Sequence, residues 1–393
     1  MFTNRKIYTL SLLGALACYS LQANSAFCQE NGSEGISALT SIPYIFKSGE
    51  GGYKCYRIPA IVQSPRGTLI AFAEGRVNST ADHGNLDIVA SRSTDGGKTW
   101  SDLIIVQDDG DNQCGNPAPV VDSATGRIFL ISCGSNASEY AIMDGKATRE
   151  VYIQHSDDDG LTWSKRRNIT AQTKKHDWRW YATGPCSGIQ IREGRHKGRL
   201  VIPANHSDAD RQYKAHCIYS DDAGDTWNIG ETAGIGSNES QIAETATDVL
   251  VQNMRMQTHG KGMRGIRTSH DGGATWTPLK LELALPCPVC QGSIARDYNT
   301  ENTLYFSNPA ATPRARKNIT IRTSTNGGES WPYAKTVYEG PSGYSNLIIL
   351  NTGQIGILYE AGKKDLAEGI AFRTFSKEEL LVPCDKSQDK TSK

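Results

Sequence analysis

Ser220-Asp-Asp222-Ala-Gly224-Asp-Thr226-Trp227 is one of five ungapped near-copies of a single eight-residue box, and that repetition decides the fold. The others are Ser93-Thr-Asp95-Gly-Gly97-Lys-Thr99-Trp100, Ser156-Asp-Asp158-Asp-Gly160-Leu-Thr162-Trp163 and Ser269-His-Asp271-Gly-Gly273-Ala-Thr275-Trp276. The fifth, Ser324-Thr-Asn326-Gly-Gly328-Glu-Ser330-Trp331, carries Asn for Asp and Ser for Thr. Five of the seven tryptophans lie in these boxes, so the pattern is an internal repeat and not a by-product of composition. The chemistry is that of a closed turn. Ser and Asp side chains can bond nearby backbone N–H groups, Gly permits a positive φ, and Trp anchors the turn by burying a large ring.

Outward from each box the chain reads as strand. Apolar runs precede the boxes at 86–91, 150–154, 215–219, 262–267 and 319–322, so each box is expected to join two strands of a hairpin. Further strand-like runs stand at 68–73, 127–132, 199–203, 249–252 and 354–359. Box starts are 63, 64, 49 and 55 residues apart, about one four-stranded propeller blade with some long loops. No long amphipathic helix and no linker interrupts the pattern. The expectation is an all-β, six-bladed β-propeller of four-stranded antiparallel blades over residues 35–385, with one blade lacking a box. A polar tail follows at 386–393.

Composition agrees and excludes some functions. With 39 Gly, 16 Tyr and only 5 Met in 393 residues, the chain suits short strands and tight turns. Lys plus Arg equals Asp plus Glu at 42 each, so no global field steers it to nucleic acid or an anionic membrane. Arg5-Lys6, an apolar stretch near 10–21 and small residues around 23–26 read as a signal peptide over residues 1–26. That implies secretion or a periplasmic location. Ala15-Leu16-Ala17-Cys18 weakly resembles a lipoprotein site, but Ala stands where Leu is usual, so lipid anchoring is not favoured. No later run is long and apolar enough to span a bilayer. Nine cysteines remain after Cys18, an odd number that leaves at least one unpaired within a single chain. Cys287-Pro-Val-Cys290 stands alone, without a second CxxC or a His pair, so zinc is not expected.

Tyr56-Arg57-Ile58-Pro59, followed by the boxes, resembles the sialidase (neuraminidase) superfamily of bacterial and animal type over nearly the whole chain after the signal. The resemblance implies an exo-α-sialidase acting on terminal sialic acid of glycoproteins, glycolipids or oligosaccharides, with no cofactor and no metal. It implies three arginines for the substrate carboxylate. Arg57 matches the first, Arg255 (ending Val249-Leu-Val-Gln-Asn-Met-Arg255) the second, and Arg316 the third, with Arg314 and Arg322 as rivals for that place. Planar guanidiniums suit this task because they grip a carboxylate with two parallel bonds. It further implies Tyr344 as nucleophile, Glu239 as its proton partner in preference to Glu244, and Asp82 as acid/base catalyst in preference to Asp87. Arg76 is expected to reach the site and His83 its rim. Trp178, in Asp177-Trp178-Arg179-Trp180-Tyr181, is expected to border the glycan. Asn116-Pro-Ala-Pro119 and Cys290-Gln-Gly-Ser293 are expected to form the floor. Transfer of sialic acid to an acceptor or within the same sugar would use the same residues. A box-bearing propeller or adhesin that only binds glycan is the alternative of another class. Linkage preference and oligomeric state have no signature in this pattern.

Overall fold

Leu69–Arg76, Ile128–Ser135 and Leu200–Ser207 are apolar-rich runs buried along their whole length, as strands covered on both faces must be. They lie in a computed structural model that describes residues 42–310 and 314–384. The expected signal peptide, Cys18 and the polar tail fall outside those residues. The fold is all-β. Besides two single-turn 3₁₀ segments, the helices among the described residues are Glu139–Met143 and Thr170–Thr173.

The strands form four sheets. In the first, Cys55–Gln63, Leu69–Arg76, Leu86–Ser93 and Ile104–Gln107 pair in sequence order. One parallel bridge, Leu86 to Gln113, joins them to Gln113–Val121, Ile128–Ser135, Glu150–Ser156 and Arg167–Asn168. The second sheet is built on Leu200–Ser207, flanked by Tyr181–Thr183, Ile189–Gln190 and Tyr213–Ser220, with Asn228–Ile229 beyond. The third is a four-stranded meander from Ser237–Ala246 to Lys280–Pro286. In the fourth, the 17-residue strand Tyr333–Ile349 pairs first with Lys317–Ser324 and then with Ile355–Ala361. Gly369–Phe375 follows, and Tyr44–Lys47 from the other end of the chain adds to it, Tyr44 opposite Ala371. Apolar clusters draw on neighbouring groups of strands. Ala118, Phe129 and Ile131 pack with Leu200, Ile202 and Ile218, and Ile61 and Ala71 pack with Leu358, Ile370 and Phe372.

All five boxes sit in hairpin loops, as the sequence leads one to expect. In the four Asp boxes the Ser hydroxyl donates to the Asp carboxylate at 2.7–2.8 Å. The Thr hydroxyl donates to the same carboxylate at 2.6 Å. The Gly at the fifth position has φ between 80° and 96° in every box, and its N–H donates to the Ser hydroxyl at 2.8–2.9 Å. In the four Asp boxes that glycine also faces a neighbouring group of strands. A Cβ at Gly97 would stand 2.3 Å from Phe372, one at Gly160 3.2 Å from Ile70, and one at Gly224 3.0 Å from Phe129. The boxes are therefore wedges between groups of strands as well as turns.

Two outcomes follow. Asp222→Ala removes the acceptor for Ser220 and Thr226 and is expected to lower stability by about 1–3 kcal/mol in denaturant unfolding. In Asp158, burial pushes the carboxyl up, but the bonds from Thr162 and Ser156 outweigh it and bring it down to about 2. A carboxyl depressed on folding stabilises above its ordinary value of about 4 and loses that contribution as pH falls toward 2. Thermal unfolding between pH 5 and pH 2 should show the loss, and Asp158→Asn should flatten it.

Candidate active site

Four interruptions in strand pairing build the site. Register shifts fall between Arg57 and Ala60, Gly115 and Ala118, Ser237 and Ser240, and Ser342 and Ser345. Extra residues at such bulges bend the strand and re-aim side chains. At two of them a non-glycine residue has positive φ, Ile58 at 62° and Asn116 at 55°. For a β-branched residue that conformation is strained and persists only where surrounding bonds hold it. Arg57, Ile58, Asn116, Asn238, Glu239 and Tyr344, all at these bulges, line one cavity that opens to solvent.

Glu360, fully buried, holds the first bulge. One oxygen accepts from Arg57 Nε at 2.6 Å and the Ile58 N–H at 2.9 Å. The other accepts from Arg57 Nη2 at 3.2 Å and the Tyr344 N–H at 2.9 Å. Burial works against the Arg57 charge, but Glu360 outweighs it and holds the guanidinium firmly protonated. Arg57 and Arg316 each place Cζ 5.6 Å from the centre of the Tyr344 ring. Arg316 Nη2 donates to the Val289 carbonyl at 2.9 Å. Arg255 Nη1 lies 3.1 Å from the Tyr344 hydroxyl and 2.7 Å from Glu239 Oε2, and its Nη2 donates to Gln257 at 2.6 Å.

The Tyr344 hydroxyl donates to Glu239 Oε1 in a short bond. Burial, then the Glu239 charge, push the phenol well above its ordinary value, against the pull of Arg255 and Arg316. A phenol so placed is neutral at rest with its proton already aimed at a carboxylate. At the mouth, Asp82 is 80 % exposed and sits 2.7 Å from Arg76 Nη1. Partial enclosure raises its proton affinity, but Arg76, Arg57 and Arg316 overcome this and hold it below the usual carboxylate range. Buried Arg76 is also paired with Glu74 at 2.7 Å. Gln113 Nε2 donates to the Asp82 carbonyl at 3.0 Å, and Arg149 ties Gln113 and Asn116 together at 2.7 Å each.

Arg57, Arg76, Asp82, Glu239, Arg255, Arg316 and Tyr344 thus line one cavity, drawn from three of the four sheets and their loops. Trp178 does not join them, which corrects its expected place beside the glycan. It is 7 % exposed and stacked on His206, ring centroids 3.5 Å apart and planes 4° apart, so packing claims the ring. Trp180 lines the cavity in its place, with Arg149 4.2 Å over its face. Arg322 is buried against Asn308, and Arg314 borders a separate cavity beside Cys287. Glu244 accepts from the Arg192 and Glu193 N–H groups and from the Tyr298 hydroxyl in another cavity, and Asp87 accepts from the Tyr53 hydroxyl. No box residue touches the site cavity.

Sequence reasoning passed over Glu360, Glu74, Arg149 and Gln113. Glu74 had a legible signal, standing two residues before Arg76 and so on the same face of a strand. Glu360 had none. No group of three or more His, Cys, Asp or Glu arranged for a metal occurs among the described residues.

Residues 67–357 match the family model described as a BNR repeat-like domain. The chain is 34% identical over 348 residues to a sialidase of Micromonospora viridifaciens, covering 84% of this chain and 52% of that one. It is 31% identical over 379 residues to a sialidase of Bacteroides fragilis, covering 90% and 68%. Among solved structures, Hadza microbial sialidase Hz136 superposes with a TM-score of 0.77 at 34% identity, over 86% of this chain and 68% of that one. These similarities define the class, and the chain belongs to the sialidase superfamily. It spans about half the length of the Micromonospora relative.

Glu360→Gln keeps the side chain's size but turns one acceptor into a donor and leaves Arg57 unneutralised. The expected loss is about 3–5 kcal/mol in denaturant unfolding, the range for breaking a buried ion pair from one side.

Proposed function

We propose that the protein is an exo-α-sialidase that removes terminal sialic acid from glycoconjugates with retention of configuration. The observation that carries this reading is the Tyr344–Glu239 bond enclosed by Arg57, Arg255 and Arg316. Sialic acid bears a carboxylate on its anomeric carbon. A carboxylate nucleophile would be repelled by it, whereas a neutral phenol is not, and tyrosine is a known exception to the two-carboxylate rule. The three guanidiniums supply the field that seats the carboxylate and fix the sugar for attack.

In the first step the Tyr344 oxygen bonds to the anomeric carbon while its proton passes to Glu239. The bond to the aglycone breaks, and Asp82 protonates the departing oxygen. In the second step Asp82 takes a proton from water, and the water oxygen displaces Tyr344, which recovers its proton from Glu239. Two inversions leave the configuration retained. Because Arg76, Arg57 and Arg316 depress Asp82 in the empty site, a substrate carboxylate that cancels part of their charge raises its affinity for the proton it must donate.

The frame supports the same reading. The pairing order divides into six runs of four antiparallel strands, with Tyr333–Ile349 serving two neighbouring runs and Tyr44–Lys47 completing the last. We read these as six propeller blades, four of whose first strands carry the bulges around one axis, in a single catalytic unit. The signal-like residues 1–26 place the protein outside the cytoplasm on this reading. No helix among the described residues is long and apolar enough to cross a membrane.

Tyr344→Phe and Arg57→Ala are each expected to lower kcat/KM for an aryl sialoside by at least about 100-fold. Unchanged hydrolysis in either variant overturns the assignment. NMR of the first-formed product, with and without a galactoside acceptor, separates hydrolysis from transfer. A further expectation concerns pH. Activity requires protonated Asp82, so it falls as pH rises through that group's value. kcat/KM reports the free enzyme and kcat the complex, so the alkaline limb of kcat should lie at higher pH. Coincident limbs would remove the proposed role of the substrate carboxylate.

A further inference from the structure

Arg264 is fully buried, yet no carboxylate among the described residues pairs with it. Its Nε donates to Asn253 Oδ1 at 2.6 Å and its Nη1 to the Cys290 carbonyl at 2.7 Å, while Nη2 is buried without a partner. The ionisable side chain it touches is Cys287, whose Sγ lies 3.8 Å from Nη1. An arginine keeps its proton at neutral pH, and a buried cation calls for a counter-charge. A thiolate on Cys287 supplies one. Burial works against that ionisation, but Arg264 and then three backbone N–H groups outweigh it and hold the thiol below its ordinary value. Its neighbour Cys290 is pushed the other way by burial, up to about 11. Burial likewise raises the thiols of Cys55, Cys114, Cys186 and Cys217.

Cys287 can also be reached. It lines a cavity beside the active-site cavity, formed by residues 256–262 with Val289 and Arg314. His259, Lys261 and Arg314 give this cavity its charge, and no carboxylate lines it among the described residues. A thiolate in an electropositive, partly open setting is the reactive form of cysteine. Cys290 stands three residues on, and the same Arg264 nitrogen touches both residues. We infer that Cys287 and Cys290 form a thiol–disulfide exchange site for a small anionic disulfide. The Cys287 thiolate attacks one sulfur of the incoming disulfide, leaving a mixed disulfide and releasing one half as a thiolate. Cys290 then loses its proton to solvent, attacks Cys287 Sγ and releases the other half. Two protein thiols are oxidised, one small disulfide is reduced to two thiols, and the two protons pass through solvent to the released sulfurs. The pair is coupled to the active site on two sides. Cys290 packs with Ile58 and Tyr344, and the Val289 carbonyl, between the cysteines, accepts from Arg316 at 2.9 Å. Val289 itself has a φ of 56°, strained for a β-branched residue. Drawing Cys290 onto Cys287 disturbs both supports, so the disulfide form is the less active one. That consequence rests on the sialidase reading above; the exchange itself does not.

The test exposes the full chain, first reduced with dithiothreitol, to oxidised glutathione, which carries carboxylates, or to the neutral bis(2-hydroxyethyl) disulfide. Peptide mass spectrometry is expected to show the segment holding Cys287 and Cys290 losing two hydrogens before any other cysteine reacts. Cys290→Ala should stop at a glutathione adduct on Cys287. Hydrolysis of an aryl sialoside should fall about tenfold or more on oxidation, because the supports of Tyr344 and Arg316 have moved, and return with dithiothreitol. Cys287→Ser should hydrolyse the sialoside as before and ignore the disulfide. Thermal unfolding checks that each variant folds. Should either cysteine variant not fold, charge reversal at the cavity rim decides: Lys261→Glu with Arg314→Glu is expected to slow oxidised glutathione about tenfold and leave the neutral disulfide's rate unchanged. The inference is overturned if Cys287 and Cys290 stay reduced while other cysteines react, or if charge reversal changes both rates alike. Oxidation that leaves hydrolysis unchanged overturns the coupling to the active site. If reduced wild type leaves the sialoside untouched, the sialidase reading fails, while the mass spectrum still decides the exchange.

Discussion

Four hydrogen bonds to one buried carboxylate govern this molecule. Glu360 takes Arg57 and the Ile58 N–H from a strand near the start of the described chain, and the Tyr344 N–H from a strand near its end. Some 300 residues separate the two strands, and the same group that orients Arg57 also holds the backbone of Tyr344 beside it. The strained φ of Ile58 is tolerated because these bonds specify it. A low-dielectric setting makes such a network strong when complete and expensive when broken. Stability and site geometry therefore rest on one side chain.

Work is divided between two kinds of irregularity. The boxes close hairpins and wedge neighbouring groups of strands apart at fixed spacing, Gly97 against Phe372 and Gly224 against Phe129. None of their residues enters the site cavity. The bulges lie elsewhere along the sheets and turn side chains into that cavity. Turn chemistry thus sets the frame, and pairing defects shape the cavity. Changes in one can leave the other standing.

Charge balance in the cavity is arranged pair by pair. Arg57 faces Glu360, Arg76 faces Glu74 and Asp82, and Arg255 faces Glu239. Arg316 leans on a backbone carbonyl instead. The guanidiniums are thereby held in place by their own carboxylates or, for Arg316, by the backbone. The same pairing keeps the carboxylates apart in role. Glu239 is enclosed against the phenol, while Asp82 stands at the open mouth beside the arginines.

The boxes, the strand runs around them and the short motifs were legible in one dimension, because turn chemistry and alternation act over a few residues. From these came the all-β class and the hairpin position of every box, while Arg57, Asp82, Glu239, Arg255, Arg316 and Tyr344 were implied by the family resemblance that the motifs carry. Trp178 went astray because local pattern cannot say whether an aromatic ring faces sugar or core; stacking on His206 decided that, and Trp180 two residues on took the cavity. Glu360 and Asn205 were invisible for a related reason. One is defined largely by Arg57 and Ile58, more than 300 residues away, the other by having no partner among its spatial neighbours. The sequence by itself determined which turns and strands form, since those depend on neighbours along the chain. Only the tertiary structure decided which buried polar groups are paired and which are not, because hydrogen bonding inside a protein is settled by proximity in space.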